Sequence, residues 1–421
     1  MQKAFELSGS ADHSLEPAGT GRLTSIALAM GLIMIGLGQT VLYTVLGPAA
    51  RQIGISELQT GAIVSLTALV LTIASPLWGR LIDRYGSRTV YLVGMVSYTV
   101  GSVVFAATLG AGLWYSLSPL LVLTVLLSVR SLYALMTAGI HPAAMAYIAK
   151  NTPEASRASG MALMAACNGI GSALGPLLGS GLATFGLLVP LFAASALALV
   201  ATLLGAVSIK KDVPAARAVD ARMSSIRMTD QRVLLPLVGT VLVYAAFSSL
   251  QQSLAFFVQD KFELTATEAI HQTGIVVAVL AATMMVTQLG LIQFFKPGPV
   301  VAVSCGSFLA VVGFVLIATW SVTLTRLAIS QILVGGGVAL LFPGLQAALS
   351  NAVTIDKQGS VAGLSFGAAS FGYVAGPLLG TGLLSVSLRL PYLVGAAAVA
   401  CAGVVVLRSL GVRQHERVAR A

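Results

Sequence analysis

The chain has 421 residues, of which 57% are hydrophobic and only 9% are charged, and its mean hydropathy is +0.93. This composition leaves too little polar surface for a soluble globule of that length and predicts an integral membrane protein. The net charge of +10 does not indicate a nucleic-acid partner, because the Lys and Arg residues lie where membrane topology places them.

The N-terminal segment, 1–22, is polar and mixed in charge, and the apolar run that follows is longer than that of a secretory signal. We therefore expect a cytoplasmic tail and a retained first helix. Cys167, Cys305 and Cys401 lie inside apolar runs without CxxC or metal-ligand spacing. They are predicted to be small apolar side chains that form no disulfide.

Long unbroken apolar runs predict membrane-spanning helices, since a membrane β-barrel would show short alternating segments. In chain order the runs place twelve helices at 25–46, 58–79, 89–109, 119–148, 158–183, 187–208, 234–258, 272–293, 299–320, 325–349, 360–385 and 389–408. The predicted fold is an all-α polytopic membrane protein with twelve transmembrane helices in two pseudo-symmetric six-helix bundles. The predicted segments after the tail are 23–208, a cytoplasmic linker at 209–233, 234–408 and a C-terminal tail at 409–421.

The distribution of positive charge predicts the orientation. All but five of the 24 Lys and Arg residues fall in the tails, the linker and the loops of one side; the exceptions are Arg51, Arg130, Lys261, Arg326 and Arg389. Positive residues accumulate on the cytoplasmic side of membrane proteins. Both termini are therefore expected in the cytoplasm.

Three landmarks repeat between the two halves. Gly171, Gly175, Pro176 and Gly179 return 201 residues later as Gly372, Gly376, Pro377 and Gly380. Pro142 and Pro343 differ by the same 201 residues, and the segment 59–61 (Gln-Thr-Gly) returns at 272–274. Repeated six-helix units are typical of alternating-access transporters, whose site lies between the halves near the bilayer midplane.

A charged loop joins the second and third predicted helices. It runs G-x-L-x-D-R-x-G-x-R, and its lettered positions include Gly79, Asp83, Arg84, Gly86 and Arg88. The two glycines permit a tight turn, and the arginines anchor it on the positive side of the membrane. This loop resembles the signature loop of the major facilitator superfamily.

The resemblance implies a gating role for this loop. Asp83 is expected to dock against the start of helix 11, near 359–362, and to close the cytoplasmic side in the outward-facing state. A carboxylate gains about 0.3 to 1 kcal/mol at a helix N-terminus. The alternative is a solvated turn in which Asp83 pairs with Arg84 or Arg88, while the arginines face anionic lipid.

The Gly-x-x-x-Gly-Pro element of helix 5 places small residues at every fourth position, which lets another helix approach closely. Pro176 bends the span and frees a carbonyl. In the family this element is typical of antiporters, so it favours export over uptake. Ordinary close packing of small residues is the alternative.

Arg130 is the one basic residue predicted deep within a span, where it must face a cavity or a partner. It resembles the helix 4 arginine of drug and proton antiporters, although Ala134 and Met136 stand where that family has glycines. His141 follows three turns later, about 20° off the same face of a straight helix. We expect Arg130 at the cargo or proton site and His141 as a proton carrier. The alternatives are an arginine that reaches the periplasmic interface and a histidine hydrogen-bonded within the bundle.

No Asp or Glu lies in any predicted span, and helix 1 carries Gln39 and Tyr43 instead. A cavity of neutral to positive charge suits a neutral, zwitterionic or anionic cargo better than a lipophilic cation. Further polar side chains could bind cargo or connect helices; they are Asn168, Gln251, Gln252, Gln288 and Gln331, the last being the repeat counterpart of Arg130.

No hydrolase triad, P-loop, metal cluster or dinucleotide motif occurs, so neither an enzyme nor a cofactor is predicted. The sequence resembles bacterial proton-coupled drug exporters of the cytoplasmic membrane. The expected partners are a small organic cargo, protons and membrane lipids, and a monomer is expected. An exporter of a siderophore or another hydrophilic metabolite, a facilitator or importer, and a receptor that does not transport remain alternatives.

Overall fold

The computed structural model describes residues 21–211, 231–354 and 357–420. Twelve helices within these ranges are long and apolar enough to cross a membrane. They are α1 (Arg22–Ile53), α2 (Glu57–Tyr85), α3 (Ser87–Trp114), α4 (Pro119–Asn151), α5 (Glu154–Ala183), α6 (Val189–Ser208), α7 (Gln231–Lys261), α8 (Ala266–Phe295), α9 (Pro299–Trp320), α10 (Leu324–Ser350), α11 (Gln358–Leu384) and α12 (Leu390–Arg420). The prediction of an all-α polytopic fold with twelve spans is confirmed.

Several helices extend beyond the predicted apolar runs because polar capping turns precede them. α8 begins at Ala266 rather than 272, since Thr265 and Glu268 form a capping box there. Ser56 and Gln59 form the corresponding box before α2. A capping box satisfies two otherwise unpaired amides of a helix start, so each helix begins directly after its N-cap residue and includes polar residues that precede the apolar run.

Two large apolar cores hold the helices together. One is built almost entirely from α1–α6 and the other from α7–α12. Residue Ile270 of α8 is the exception, because it packs into the core of the first half. The tail before residue 21 and the linker residues 212–230 lie outside the described residues, and the predicted boundaries at these two segments stay predictions.

The charged loop between the second and third helices is mostly helical, which corrects the role predicted for Gly79. α2 continues to Tyr85 and α3 starts at Ser87, so the turn consists of Gly86 alone. Gly86 has φ 83° and ψ 156°, a conformation that is essentially restricted to glycine. Gly79 lies inside α2, with nothing within 4 Å of the position that a Cβ would occupy.

We expect Gly86→Ala to destabilise the protein by about 1 to 3 kcal/mol, because the side chain strains this backbone. Gly79→Ala is the matched control and should be neutral or stabilising, since alanine favours a helix interior. Thermal unfolding of the purified protein in detergent measures both. Equal behaviour of the two variants would contradict the assignment of the turn to Gly86.

Candidate functional site

The two halves meet at one end of the bundle. We call this end, where α1 finishes and α2 starts, the Arg51 end, and the opposite end, which carries the α2–α3 turn, the Asp83 end. Every inter-half hydrogen bond, ion pair and close glycine contact recorded between described residues lies at the Arg51 end. The bundle is therefore closed at the Arg51 end.

Arg51 connects the halves through charge. Its guanidinium binds Glu57 of its own half, with an Nη2 to Oε1 distance of 2.6 Å. The same group binds both carboxylate oxygens of Asp260 at the end of α7; the Nη2 to Oδ2 distance is 2.8 Å. It also lies 4.9 Å from the ring centroid of Phe256. In the sequence, Arg51 stands out only as an exception to the charge distribution. Its role between the halves could not be predicted, because its partner Asp260 lies 209 residues away along the chain.

The repeated landmarks contact one another across the halves. Gly61 of α2 packs on the carbonyl of Pro377 and on Thr381 of α11. Its repeat counterpart Gly274 of α8 packs on the carbonyl of Pro176 and on Ser180 of α5. A side chain at either glycine would overlap these atoms. The segment at 59–61 and the Gly-Pro element, found separately as repeats, are therefore two sides of one contact that occurs twice.

His271 adds a hydrogen bond to the second of these contacts. Its Nδ1 donates to the carbonyl oxygen of Ser180 at 2.9 Å. α8 thus approaches α5 through both a glycine and a histidine. Gly274 belonged to the predicted repeat, whereas His271 had no predicted role.

Within each half, the glycines of the Gly-x-x-x-Gly-Pro element provide a close helix contact. A Cβ on Gly171 or Gly175 would overlap backbone oxygens of α1, and one on Gly179 would meet Thr44. In the second copy of the element, α11 approaches α7 in the same way through Gly372, Gly376 and Gly380. Gly181 of α5, by contrast, has nothing within 4 Å of its Cβ position. The small-residue spacing is used for packing in both copies.

Arg130 lies in the interior of the first half between two aromatic rings. Its guanidinium carbon is 4.8 Å from the centroid of Tyr133 and 5.7 Å from that of Phe105. Within the described residues it has no carboxylate partner, and its Nε is buried without a hydrogen-bond acceptor. The rings contact the cation but do not neutralise it. The predicted alternative, an arginine extended to the membrane interface, does not fit this buried Nε.

Gln39 and Tyr43 of α1 form a hydrogen bond with each other. The Gln39 Nε2 donates to the Tyr43 hydroxyl at 3.3 Å. Tyr98 of α3 meets the ring of Tyr133 edge-on, with centroids 6.3 Å apart, and its hydroxyl donates to the carbonyl of Met34 of α1 at 3.1 Å. These side chains are polar but neutral, so none of them supplies a negative charge to the cation.

His141 does not lie on one straight helix with Arg130, contrary to the geometry assumed from the sequence. α4 consists of two pieces, Pro119–Thr137 and Ile140–Asn151. At the break the indole of Trp78 donates to the carbonyl of Leu135 at 2.5 Å, and proline at 142 has no amide to donate. His141 is exposed and forms no recorded hydrogen bond with a described residue, so the predicted alternative of a histidine bonded within the bundle does not apply here.

The other predicted polar residues are scattered. Asn168 and Gln251 are half-buried, and Gln288 is exposed in a π-helical turn of α8. Gln252 and Gln331 are buried, and the Gln252 Oε1 and both side-chain polar atoms of Gln331 have no partner among the described residues. Gln331 therefore does not connect helices through hydrogen bonds in this structure.

The loop arginines and Asp83 lie at the opposite end. Asp83 is exposed, and no ion pair within the described residues includes it. Arg88 donates from Nη2 to the carbonyl of Ala206 in α6 at 3.1 Å, and Arg84 lies over the ring of Tyr85. Docking of Asp83 on α11 belongs to a state closed at the Asp83 end, so it stays a prediction.

An aromatic cluster in the second half was not predicted. Tyr244 of α7 stacks on Phe342 of α10, with centroids 4.3 Å apart and rings inclined by 9°. Tyr373 of α11 meets Tyr244 edge-on at 5.5 Å, and Phe247 meets Phe342 edge-on at 5.6 Å. No single helix carries the pattern, so periodicity along the sequence could not reveal it.

Breaking the charged contact between the halves should loosen the Arg51 end. We expect Asp260→Asn to weaken closure by about 1 kcal/mol, because both partners are partly exposed, which shifts the ratio of closed to open molecules roughly fivefold. Spin labels at Leu58→Cys and Ser385→Cys, in a chain whose native cysteines are replaced, would report longer distances. Glu268→Gln is the matched control, since among the described residues Glu268 bonds only the capping residue Thr265. An unchanged distance distribution in Asp260→Asn would show that the Arg51–Asp260 ion pair does not hold this end closed.

Comparison with known proteins places the chain in a family. The family model of the Major Facilitator Superfamily matches residues 28–325 and 291–421. The chain is 25% identical over 383 residues to multidrug resistance protein 2 of Bacillus subtilis (strain 168), covering 87% of this chain and 90% of that protein. It is 28% identical over 395 residues to the class C tetracycline resistance protein of Escherichia coli, covering 90% and 92%.

Among solved structures, a bacterial homologue of the human lysosomal transporter Spinster, in an inward-facing and unoccupied conformation, matches with a TM-score of 0.72 and 14% identity, covering 93% of this chain and 98% of that one. This likeness supports the fold. The prediction of a transporter rather than an enzyme is confirmed by the family assignment. The chain, a multi-pass membrane protein of two repeated six-helix halves, belongs to the Major Facilitator Superfamily.

Proposed function

We propose that this transporter exports a small organic molecule from the bacterial cytoplasm by alternating access, in exchange for protons. In this proposal the Asp83 end faces the cytoplasm, as the positive charges favour. The structure then represents the inward-facing state. The cargo enters from the Asp83 end and leaves when the Arg51 end opens.

The observation that carries this proposal is the one-ended closure of two similar halves. The Arg51–Asp260 ion pair and the paired glycine contacts all join opposite halves at one end. Within each half, by contrast, α5 packs on α1 and α11 on α7 through three successive glycines, so that the contact extends over several turns of the helix. Tight packing inside the halves and separable contacts between them favour rigid-body rocking around a central site.

Arg130 is the proposed centre of the cargo site. A cation without a carboxylate partner in the membrane interior is costly and is retained in proteins for function. In α1–α11, each described Asp or Glu lies within four residues of a helix end. The interior therefore has an unpaired positive charge and no fixed negative one, which favours a neutral, zwitterionic or anionic cargo.

The names of the similar proteins support export. They are multidrug and tetracycline resistance proteins, and a quinolone resistance protein of Staphylococcus aureus is 23% identical over 384 residues. At this level of sequence identity, the cargo of one protein does not predict the cargo of another. The proposal for this chain is therefore efflux of a small organic compound without a named drug.

Proton-driven uptake into everted membrane vesicles tests the proposal. We expect one or more compounds from a labelled panel of drugs and iron chelators to accumulate, and the accumulation to collapse with a protonophore. Arg130→Ala should lower the initial rate more than about tenfold, because one charge-assisted contact is worth roughly 1.5 to 3 kcal/mol. Asp83→Asn should lower the rate by impairing closure at the Asp83 end.

Arg326→Ala is the matched control. Arg326 lies at the start of α10 over the ring of Trp320, outside the proposed site. The initial rate of accumulation by the Arg326→Ala variant should equal that of the unmodified protein. Accumulation that ignores the proton gradient would overturn antiport and favour a facilitator, and a chelator as the only accumulated compound would identify a metabolite exporter.

His141 is the proposed proton carrier, because it is exposed at the break in α4 and histidine titrates near neutral pH. We expect His141→Gln to abolish gradient-driven accumulation while downhill efflux of the same cargo persists. Parallel measurement of uphill and downhill flux at several pH values separates the two. Retained uphill transport would exclude this histidine as the carrier.

A further inference from the structure

The aromatic cluster of the second half brings together rings from α7, α10 and α11. We call Tyr244, Phe247, Phe342 and Tyr373 the aromatic wall. Three of its members are only half-buried, Phe247 being the buried one at 4% exposure. The hydroxyls of Tyr244 and Tyr373 form no hydrogen bond with any described residue. A hydroxyl without a hydrogen-bond partner is costly to bury in apolar surroundings, so these two groups favour contact with water or a polar cargo.

α1 lies between the Arg130 site and the second half. Its Met34 carbonyl accepts a hydrogen bond from Tyr98 of α3 at 3.1 Å, and its Gly47 lies against the ring of Phe256 of α7. Tyr43 precedes Gly47 by one turn and therefore lies on the face of α1 that approaches the second half. α1 therefore contacts both α3, which supplies Phe105 to the cation, and α7, which supplies Tyr244 and Phe247 to the wall. Contributions from both halves to one site are what alternating access requires.

The two sides differ in chemistry. One side presents an unpaired guanidinium, whose planar donors suit a carboxylate or enolate. The other side presents stacked and edge-on rings, and aromatic groups in such arrangements contribute attraction beyond their burial. A cargo that satisfies both sides has a delocalised negative group next to a planar ring system.

We infer that the cargo class is planar aromatic anions, with the anionic group at Arg130 and the ring on the aromatic wall. This inference rests on the proposed function, since it assigns the cargo of the same site. It goes beyond an intramembrane arginine, because a positive charge alone does not distinguish an aromatic anion from an aliphatic one. The wall supplies that distinction.

Binding by the full chain in lipid nanodiscs tests the inference without transport. Tritiated 2-naphthoate is the probe, and three competitors change one property each: 2-naphthamide removes the charge, 2-naphthylmethylammonium reverses it, and decalin-2-carboxylate removes the aromaticity. We expect 2-naphthoate to bind, the amide and the ammonium to compete at least about thirtyfold more weakly, and the saturated acid about tenfold more weakly.

Variants assign the two preferences to the two sides. Arg130→Gln should remove the preference for the carboxylate over the amide, and Phe342→Leu should weaken 2-naphthoate binding about fivefold or more without changing binding of the saturated acid. Phe342→Tyr keeps the ring and should restore affinity. Phe308→Leu is the matched control, because Phe308 is 69% exposed on α9, away from the wall.

Equal competition by the ammonium, absence of 2-naphthoate binding, or unchanged affinity in Phe342→Leu would each overturn the inference. These results are distinct from failure of the proposed function. A chain that exports a compound in vesicles but prefers the ammonium loses only the cargo class. A chain that binds 2-naphthoate as expected but shows no proton-driven flux retains the site and loses the antiport mechanism.

Discussion

The close approach of α5 to α1, and of α11 to α7, is the constraint on which the rest of the structure depends. Lipid provides no hydrophobic drive between helices, so association relies on van der Waals contact that small residues permit. Gly175 and Gly376 lie against backbone oxygens of the neighbouring helix, where a methyl group would not fit. Each half therefore behaves as a packed unit, and movement is left to the surface between the halves.

That surface is built from residues of the same repeats. Pro176 and Pro377 offer their carbonyls to Gly274 and Gly61 of the opposite half. The charged contact of Arg51 with Asp260 lies at the same end. Contacts through one glycine and one partly exposed ion pair are individually weak, which suits a gate that must open and close in every cycle.

The interior joins an unpaired charge to an aromatic surface. Arg130 is held between the rings of Phe105 and Tyr133, which stabilise a cation without cancelling it. The buried Gln331, its repeat counterpart, also has unpartnered amide atoms. The repeat thus places a polar side chain at equivalent positions of both halves, with a charge in only one of them.

The sequence by itself determined the twelve spans, since a helix must be about 20 apolar residues long to cross a membrane, and it determined the repeat and the glycine spacing, since both are patterns within a helix. The prediction that Gly79 belongs to the turn was wrong, because the polar residues that follow an apolar run can belong either to the helix or to the loop. Only the tertiary structure decided which end is closed, that Arg51 meets Asp260, and that Tyr244, Phe342 and Tyr373 form one wall. Spacing along the chain shows which residues share a helix face. It cannot show which faces of distant helices meet, because that is decided by packing among all of them at once.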